Sequence, residues 1–351
     1  MTELHAFKPV GTAFEKTRKL LLEPFDIGTW IKLAIITFFV GTGTSLNPGD
    51  SLRYSFNQGD LSNLNYNFSH VLSDNVILAF ILIAVAVAIV LGLLLSYLRG
   101  VFSFVLIDAL TSGNVRIVKA FKENMGRGFK VFLFNVAVAI VSFIVVGAIL
   151  VAMLMVILWA LGNGNIFSEG AWTAMSGMSL FALIAAILLG LLAIIAYSIL
   201  VGLFVGFFYD FAVPLMFFRN MGLRQSIGEV WRLVRRQPFE FFAYVIVRWA
   251  LEIAIAIVMG MLYLFILAIF VAIGVVVAIA LAAAVKTNIL LAFLFALALL
   301  IGLLLLIAVS ALISMPVQAF LRYYSLDFLK SFDPSYVEYT GRMAQTEGAA
   351  P

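Results

Sequence analysis

Residues 76–98, VILAFILIAVAVAIVLGLLLSYL, contain no charged side chain over 23 consecutive positions. A helix needs about 20 mostly apolar residues to cross the hydrocarbon core of a bilayer. Five other stretches are mostly apolar, and together they predict six transmembrane helices: Ile27–Gly43, Val76–Leu98, Val131–Leu161, Leu180–Phe207, Phe241–Val271 and Ile289–Met315. We therefore predict an all-α fold, a polytopic integral membrane helical bundle.

The composition agrees with a membrane environment. The chain has 351 residues, of which 64% are hydrophobic and 11% are charged, whereas about a quarter of an average soluble domain is charged. Because apolar runs extend along almost the whole chain, we expect residues 1–351 to form a single membrane domain. Cysteine is absent, which excludes disulfide and thiolate-zinc frameworks.

The positions of the basic residues predict the orientation. The six-span topology places 19 of the 22 Lys and Arg residues on one side, and cytoplasmic loops carry the excess of Lys and Arg. Both termini are therefore expected in the cytoplasm, with the protein in the cell membrane. Two spans within Phe241–Val285 would move the C-terminus outside, and the charge distribution argues against them. Since the bases lie in short loops, no nucleic-acid partner is expected.

A short motif recurs before three of the apolar runs. It reads Pro24-Phe25-Asp26, Gly128-Phe129-Lys130 and Pro238-Phe239-Glu240, and a basic amphipathic stretch precedes each copy. We interpret the chain as repeat-like units 1–98, 99–218 and 219–325, followed by a cytoplasmic tail at 326–351. Each unit is predicted to be a helical hairpin preceded by an amphipathic interfacial helix.

The amphipathic stretches carry the most regular pattern. Leu223, Ile227, Val230, Trp231 and Val234 share one helical face. The cations of the second and third stretches are Arg116, Lys119, Lys122, Arg224, Arg232, Arg235 and Arg236. One interpretation places the apolar faces at the headgroup boundary and the cations against anionic lipid. The other makes these helices ordinary connectors packed on the bundle, and the two are not exclusive.

Polar side chains near the membrane are the candidate sites, because charge in a bilayer is costly. Arg248 and Glu252 stand four residues apart and are expected to form an ion pair, either structural or at a substrate site. Asp210 with Arg219, and Arg322 after Pro316, form either a polar cytoplasmic mouth or a helix kink with an interfacial anchor. The remaining candidates are Asp108, which lies near the cytoplasm, and Asn135, which is expected to bond a neighbouring helix.

Catalytic patterns are missing. The sequence has no HExxH and no phosphate-binding loop, and its two histidines, His5 and His70, are far apart. We predict no catalytic residue, no metal ligand and no cofactor, although Asp108 and Asp210 could bind a cation if the fold brought them together.

The repeated layout resembles a loose group of prokaryotic six-helix membrane proteins of unknown function. It is also similar to the membrane domain fused to some glycerophosphodiester phosphodiesterases. The likeness is carried by Leu22-Glu23-Pro24-Phe25 with Trp30, by residues 210–216 (DFAVPLM) and by residues 237–242 (QPFEFF). The soluble catalytic domain of those enzymes is absent. The resemblance therefore implies a membrane module, associated with lipid, and no activity.

Three functions fit these observations. The first is a non-enzymatic module that binds membrane lipids, anionic headgroups among them, or a partner, which would be an unidentified membrane protein or a second copy of the chain. The alternative is a transporter or channel for a small solute or ion, since many transporters are built from repeats. The third, a membrane enzyme acting on lipid, lacks acid–base groups.

Overall fold

The computed structural model describes residues 7–23, 25–41, 75–160, 177–285, 289–340 and 343–344. All regular secondary structure in the described residues is helical. Its helices are α1 (Lys8–Leu22), α2 (Ile27–Gly41), α3 (Asn75–Ser112), α4 (Ile117–Ala160), α5 (Gly177–Phe207), a π-helical turn (Phe208–Ala212), α6 (Val213–Phe218), α7 (Leu223–Arg236), α8 (Pro238–Val285), α9 (Ile289–Phe332) and a 3-10 turn (Pro334–Tyr336).

Local chemistry explains where several helices begin and end. The Asp26 carboxylate accepts hydrogen bonds from the backbone N–H groups of Gly28 (3.0 Å) and Thr29 (2.8 Å), which satisfies donors that the first turn of α2 leaves unpaired. α3 ends before Gly113, whose φ of 68° lies in the left-handed region that glycine tolerates at a helix C-terminus. Pro238 opens α8, where a missing N–H has no cost.

Five helices in the described residues are long and apolar enough to cross a membrane: Leu78–Ser112, Ile117–Leu158, Leu183–Phe218, Pro238–Val275 and Leu300–Phe332. They correspond to the second to sixth predicted spans. The first predicted span corresponds to α2, an apolar helix of 15 residues that rises only about 22 Å against a hydrocarbon core of about 30 Å. Gly43, its predicted end, lies outside the described residues.

The prediction of a separate interfacial helix before the second hairpin is wrong. Residues 117–125 and the span that follows form one continuous helix, α4, whereas α1 and α7 are separate helices ahead of α2 and α8. The reason lies in the repeated motif. Its first and third copies contain a proline, which cannot donate a backbone hydrogen bond, whereas Gly128 occupies that place in the second copy and leaves the backbone hydrogen bonds of α4 intact.

Several apolar helices are longer than predicted, α8 and α9 among them. Residues 238–285 form one uninterrupted helix of 48 residues, so the described structure contains no second crossing or re-entrant turn between them. Its length of about 72 Å exceeds the bilayer core and requires tilt or projection beyond it. α9 likewise passes its predicted end at Met315 and continues through Pro316 to Phe332.

The described helices do not divide into three independent hairpins. The predicted pairs α2–α3, α4–α5 and α8–α9 are each in contact, but α3 also packs along α4, and α9 packs against both α1 and α2. These contacts cross the predicted boundaries between the repeat-like units, so the helices form one connected bundle.

The buried core lies at one end of the bundle, the end predicted to face the cytoplasm. Aromatic side chains fill it: Phe211, Tyr244 and Phe328 are buried, and the Tyr244 ring centroid lies 4.9 Å from that of Phe211 and 4.5 Å from that of Phe328. The apolar middles of α3, α4, α5 and α8 are instead largely exposed. Such a surface is unfavourable in water but is the normal surface of a helix in lipid.

α1 and the C-terminal segment are tied to this core by one buried carboxylate. Asp327 of α9 lies 2.6 Å from the Lys16 ammonium of α1 and accepts hydrogen bonds from the hydroxyls of Tyr339 (2.6 Å) and Thr12 (2.9 Å). Within the predicted tail, residues 326–332 belong to α9, and Tyr336, Tyr339 and Met343 are buried. The tail, as far as the structure describes it, is therefore part of the packed end.

Candidate functional site

Three arginines from three helices meet where the packed end joins the apolar arms. Two adjoining cavities, of about 550 Å³ and 270 Å³, share five lining residues, and we call them together the arginine cavity. The shared residues are Arg99 of α3, Tyr209 and Asp210 of the π-helical turn, and Arg248 and Glu252 of α8; Arg322 and Gln318 of α9 line the smaller part.

The π-helical turn supplies the centre of the site, and Pro214 accounts for its position. Pro214 has no N–H to donate to the carbonyl of Asp210, so the regular hydrogen-bond ladder breaks here. The N–H of Val213 bonds the carbonyl of Phe208, five residues back, which leaves the Tyr209 carbonyl available. Arg322 Nη1 donates to that carbonyl at 2.6 Å. Single π turns of this kind occur frequently at functional sites.

Arg248 is the most heavily bonded cation of the site. Its Nη1 contacts Asp210 Oδ2 and donates to the Tyr244 hydroxyl at 2.9 Å, and its Nε donates to Glu252 Oε1 at 2.9 Å. Tyr244 also donates to Asp210 Oδ2 at 3.0 Å. The predicted ion pair between Arg248 and Glu252 is present. Arg248 also pairs with Asp210, which is the more buried of the two carboxylates, and the spacing along α8 does not reveal this second partner.

Arg322 and Arg99 have donors left over. The Arg322 side chain is 9% exposed, and its Nη1 is 4.0 Å from Asp210 Oδ1, too far for a hydrogen bond. The Arg99 guanidinium stacks over the Tyr209 ring, with Cζ 4.5 Å from the centroid. Among the described residues, the buried Nε atoms of Arg99 and Arg322 have no hydrogen-bond acceptor.

Asn135 supports the site from α4. Its Nδ2 donates to the Tyr209 hydroxyl at 2.8 Å, and that hydroxyl lies 3.1 Å from Asn135 Oδ1. The predicted bond between Asn135 and a neighbouring helix is therefore present, and it fixes the ring over which Arg99 stacks.

The other two polar candidates lie elsewhere. Asp108 does not line the arginine cavity, and the described structure does not join it to Asp210 in a cation site. Arg219 instead holds the C-terminal segment: it donates to Ser335, lies 3.3 Å from Asp333 and stacks over the Tyr336 ring.

Sequence reasoning missed Arg99, Tyr244 and Gln318. The predicted span ends at Leu98, just before Arg99, and the signal against this end is the mostly apolar run GVFSFVLIDAL at 100–110, which continues α3 past Arg99. Tyr244 stands four residues before Arg248, the same spacing that pointed to Glu252. No local pattern identifies Gln318.

The seven cations predicted to face lipid are all exposed. On α7, Val230 is buried and Ile227 and Val234 pack against the core, so most of the apolar face rests on the bundle. Trp231, on the same face, is 57% exposed, and Phe239 just beyond the helix is 81% exposed. Arg235 stacks over the Trp231 ring at 5.0 Å.

Glu229 fastens α7 to the C-terminal segment. Its carboxylate contacts Arg232 and accepts a hydrogen bond from the Tyr336 hydroxyl at 2.9 Å. The hydrogen bond from Arg232, followed by that from Tyr336, holds the pKa of Glu229 below its ordinary value despite partial burial.

The arginine cavity is chemically an anion site. Both of its carboxylates are already engaged by Arg248, and the described residues contain no group of three or more His, Asp or Glu side chains placed to hold a metal ion. Guanidinium groups suit phosphate and carboxylate oxygens, which accept their fork of N–H donors.

The comparisons with known proteins identify a family and no activity. No curated protein and no solved structure matches the chain, and the findings show no link to glycerophosphodiester phosphodiesterases. A family model covers residues 4–338, nearly the whole sequence. The chain therefore belongs to the family of unknown function DUF7544.

Proposed function

We propose that the protein is a non-enzymatic membrane protein whose cytoplasmic surface binds anionic lipid headgroups. It would cross the cell membrane six times, with α2 as the first crossing and both termini in the cytoplasm. The observation that carries the proposal is the surface formed by α7 and the start of α8, which carries four exposed arginines together with the exposed Trp231 and Phe239.

The physical basis is the combination of charge and interfacial aromatic groups. Lys and Arg near the cytoplasmic leaflet are attracted to anionic lipid, and Trp residues are enriched where headgroups meet hydrocarbon. The phenylalanines of the repeated motif, Phe25, Phe129 and Phe239, are 59%, 52% and 81% exposed. Each precedes an outward-going span, so the three are expected at the level of the inner interface.

Quenching of Trp231 by brominated lipid tests the proposal in the reconstituted full-length protein. The difference between the wild type and Trp231→Phe isolates the fluorescence of this residue. Brominated phosphatidylglycerol is expected to quench it more than brominated phosphatidylcholine, with the excess shrinking at high salt because the attraction is screened.

The matched variant removes two charges and leaves in place the Glu229–Arg232 ion pair and the stacking of Arg235 on Trp231. Arg224 and Arg236 have no ion-pair partner in the part of the chain that the structure describes, and replacing both by Gln preserves the Glu229–Arg232 pair. The double variant should lose most of the preference for phosphatidylglycerol. Equal quenching of Trp231 by the two lipids in the wild type would refute the proposal and favour a protein partner for this surface.

Transport of a small anion is a second candidate. Its support is the arrangement of Arg248, Glu252, Asp210 and Arg322. These four side chains line one cavity and are not dispersed among separate contacts between helices. Anion efflux from proteoliposomes tests this function, and an efflux rate no greater than that of protein-free liposomes would exclude it for the anion used.

A further inference from the structure

We infer that the arginine cavity is a binding site for one singly charged phosphate oxyanion, either the phosphodiester of an anionic phospholipid or free inorganic phosphate. This inference goes beyond the binding of lipid by α7, because it concerns a different, largely buried site on other helices.

The charge of the cavity determines the charge of its ligand. Three arginines and two carboxylates line it, which leaves one positive charge in excess, and of the arginines Arg322 is buried. A buried charge without a partner carries a desolvation cost that nothing repays, and this holds strongly within a bilayer. One bound monoanion restores neutrality.

The hydrogen-bond donors point to an oxyanion. Asp210 is committed to Arg248 and Tyr244, so it gives Arg322 only a distant partner, at 4.0 Å. Arg322 is more than nine-tenths buried, and its Nε atom, like that of Arg99, has no acceptor among the described residues. A phosphate group offers several acceptor oxygens and can take bonds from two guanidinium groups at once.

The walls of the cavity provide a route from the membrane. Ile199 of α5 and Trp249 of α8 line the larger part, and both side chains are 48% exposed. In the described residues, α5 and α8 meet at the packed end, where the rings of Phe207 and Phe241 are 6.0 Å apart, but they do not pack extensively along each other beside the cavity. A lipid headgroup could therefore enter sideways between them while its acyl chains remain beside the apolar arms.

The test measures binding to the purified full-length protein by thermal shift and native mass spectrometry. The probes are phosphatidylglycerol, phosphatidylcholine and inorganic phosphate. We expect one phosphatidylglycerol or one phosphate per chain, and little stabilisation by phosphatidylcholine, whose headgroup has no net charge. Saturation by phosphatidylglycerol alone assigns the site to lipid, and competition by phosphate assigns it to the oxyanion in general. If neither phosphatidylglycerol nor inorganic phosphate binds stoichiometrically, the inference is overturned.

Variants that change the charge of the cavity separate binding from mere structural support. Arg99→Gln makes the cavity neutral without breaking the Arg248–Asp210 pair, and should weaken anion binding about tenfold or more. Glu252→Gln adds a positive charge and should tighten it. Arg18→Gln, on α1 outside the cavity and 61% exposed in its side chain, is the control and should bind as the wild type does. Equal affinities of all three variants would refute the inference even if α7 proved to bind lipid.

Discussion

At the scale of single residues, two glycines allow α3 and α4 to approach closely. A Cβ on Gly128 would lie 2.7 Å from Val101 Cα, and one on Gly100 would lie 2.7 Å from the Gly128 carbonyl oxygen. These obstacles are backbone atoms, which cannot swing aside.

We predict that Gly128→Ala destabilises the protein by about 1–3 kcal/mol, the usual cost of overpacking, as a lower midpoint of thermal unfolding in detergent. The control is Gly126→Ala, two residues away in α4, where nothing lies within 4 Å of an added Cβ. Alanine should stabilise that position by up to about 1 kcal/mol. Equal midpoints for the two variants would show that the helices are not in close contact.

The buried carboxylate of the arginine cavity should matter more than the exposed one. Asp210 is 5% exposed and neutralises Arg248, so Asp210→Asn leaves a buried charge without its partner and should cost about 3–5 kcal/mol. Glu252 is 44% exposed in its side chain, and Glu252→Gln should cost no more than about 1 kcal/mol. Unfolding in mixed detergent micelles measures both, and similar losses would contradict the assigned burial.

At the scale of helices, composition predicts which apolar helices form better than it predicts the residues at which they end. The absence of charge at 183–206 predicts most of the length of α5. A long apolar segment in a bilayer must satisfy its backbone hydrogen bonds internally, and a helix does so. α3 passes the charge of Arg99 since that side chain lies in a polar cavity and not in water. The Arg248–Glu252 pair follows from spacing on one helix, whereas Arg99 and Arg322 join it through tertiary packing, which no local pattern contains.

The docking of α7 should depend on pH through Glu229. Because its pKa is lowered by Arg232 and then by Tyr336, its stabilisation is present above the pKa of the unfolded state and is lost as pH falls below about 4.5 toward the folded value. Hydrogen exchange, corrected for intrinsic rates, should show protection at 333–340 falling in that range. Glu229→Gln should have lower protection at neutral pH and no such fall. An unchanged pH profile in the variant would assign the loss to other groups.

At the scale of the whole molecule, packing and charge point to the same side of the membrane. The buried aromatic core, the tail and the exposed cations of α4 and α7 all lie at one end, and helix ends rich in Lys and Arg remain in the cytoplasm. The six crossings that we propose require α2 to traverse the bilayer despite its 15 residues, which local thinning of the bilayer or continuation of the helix would permit.

Single cysteines test this topology without background, since the chain has none of its own. A membrane-impermeant thiol reagent applied from outside should label cysteines at Ser69, Ser176 and Thr287, which lie in the predicted outer loops. It should not label those at Asn114, Gly228 or Ser331. These three positions are exposed at the packed end and should react only after permeabilisation. Labelling of both Thr287 and Ser331 from outside would mean that α9 does not cross the membrane and would refute the proposed topology. A cysteine at the exposed Gly11 of α1 tests the crossing by α2. Labelling there from outside, with Ser331 protected, would mean that α2 does not cross, and it would contradict the packing of α1 against α9 at one end of the bundle.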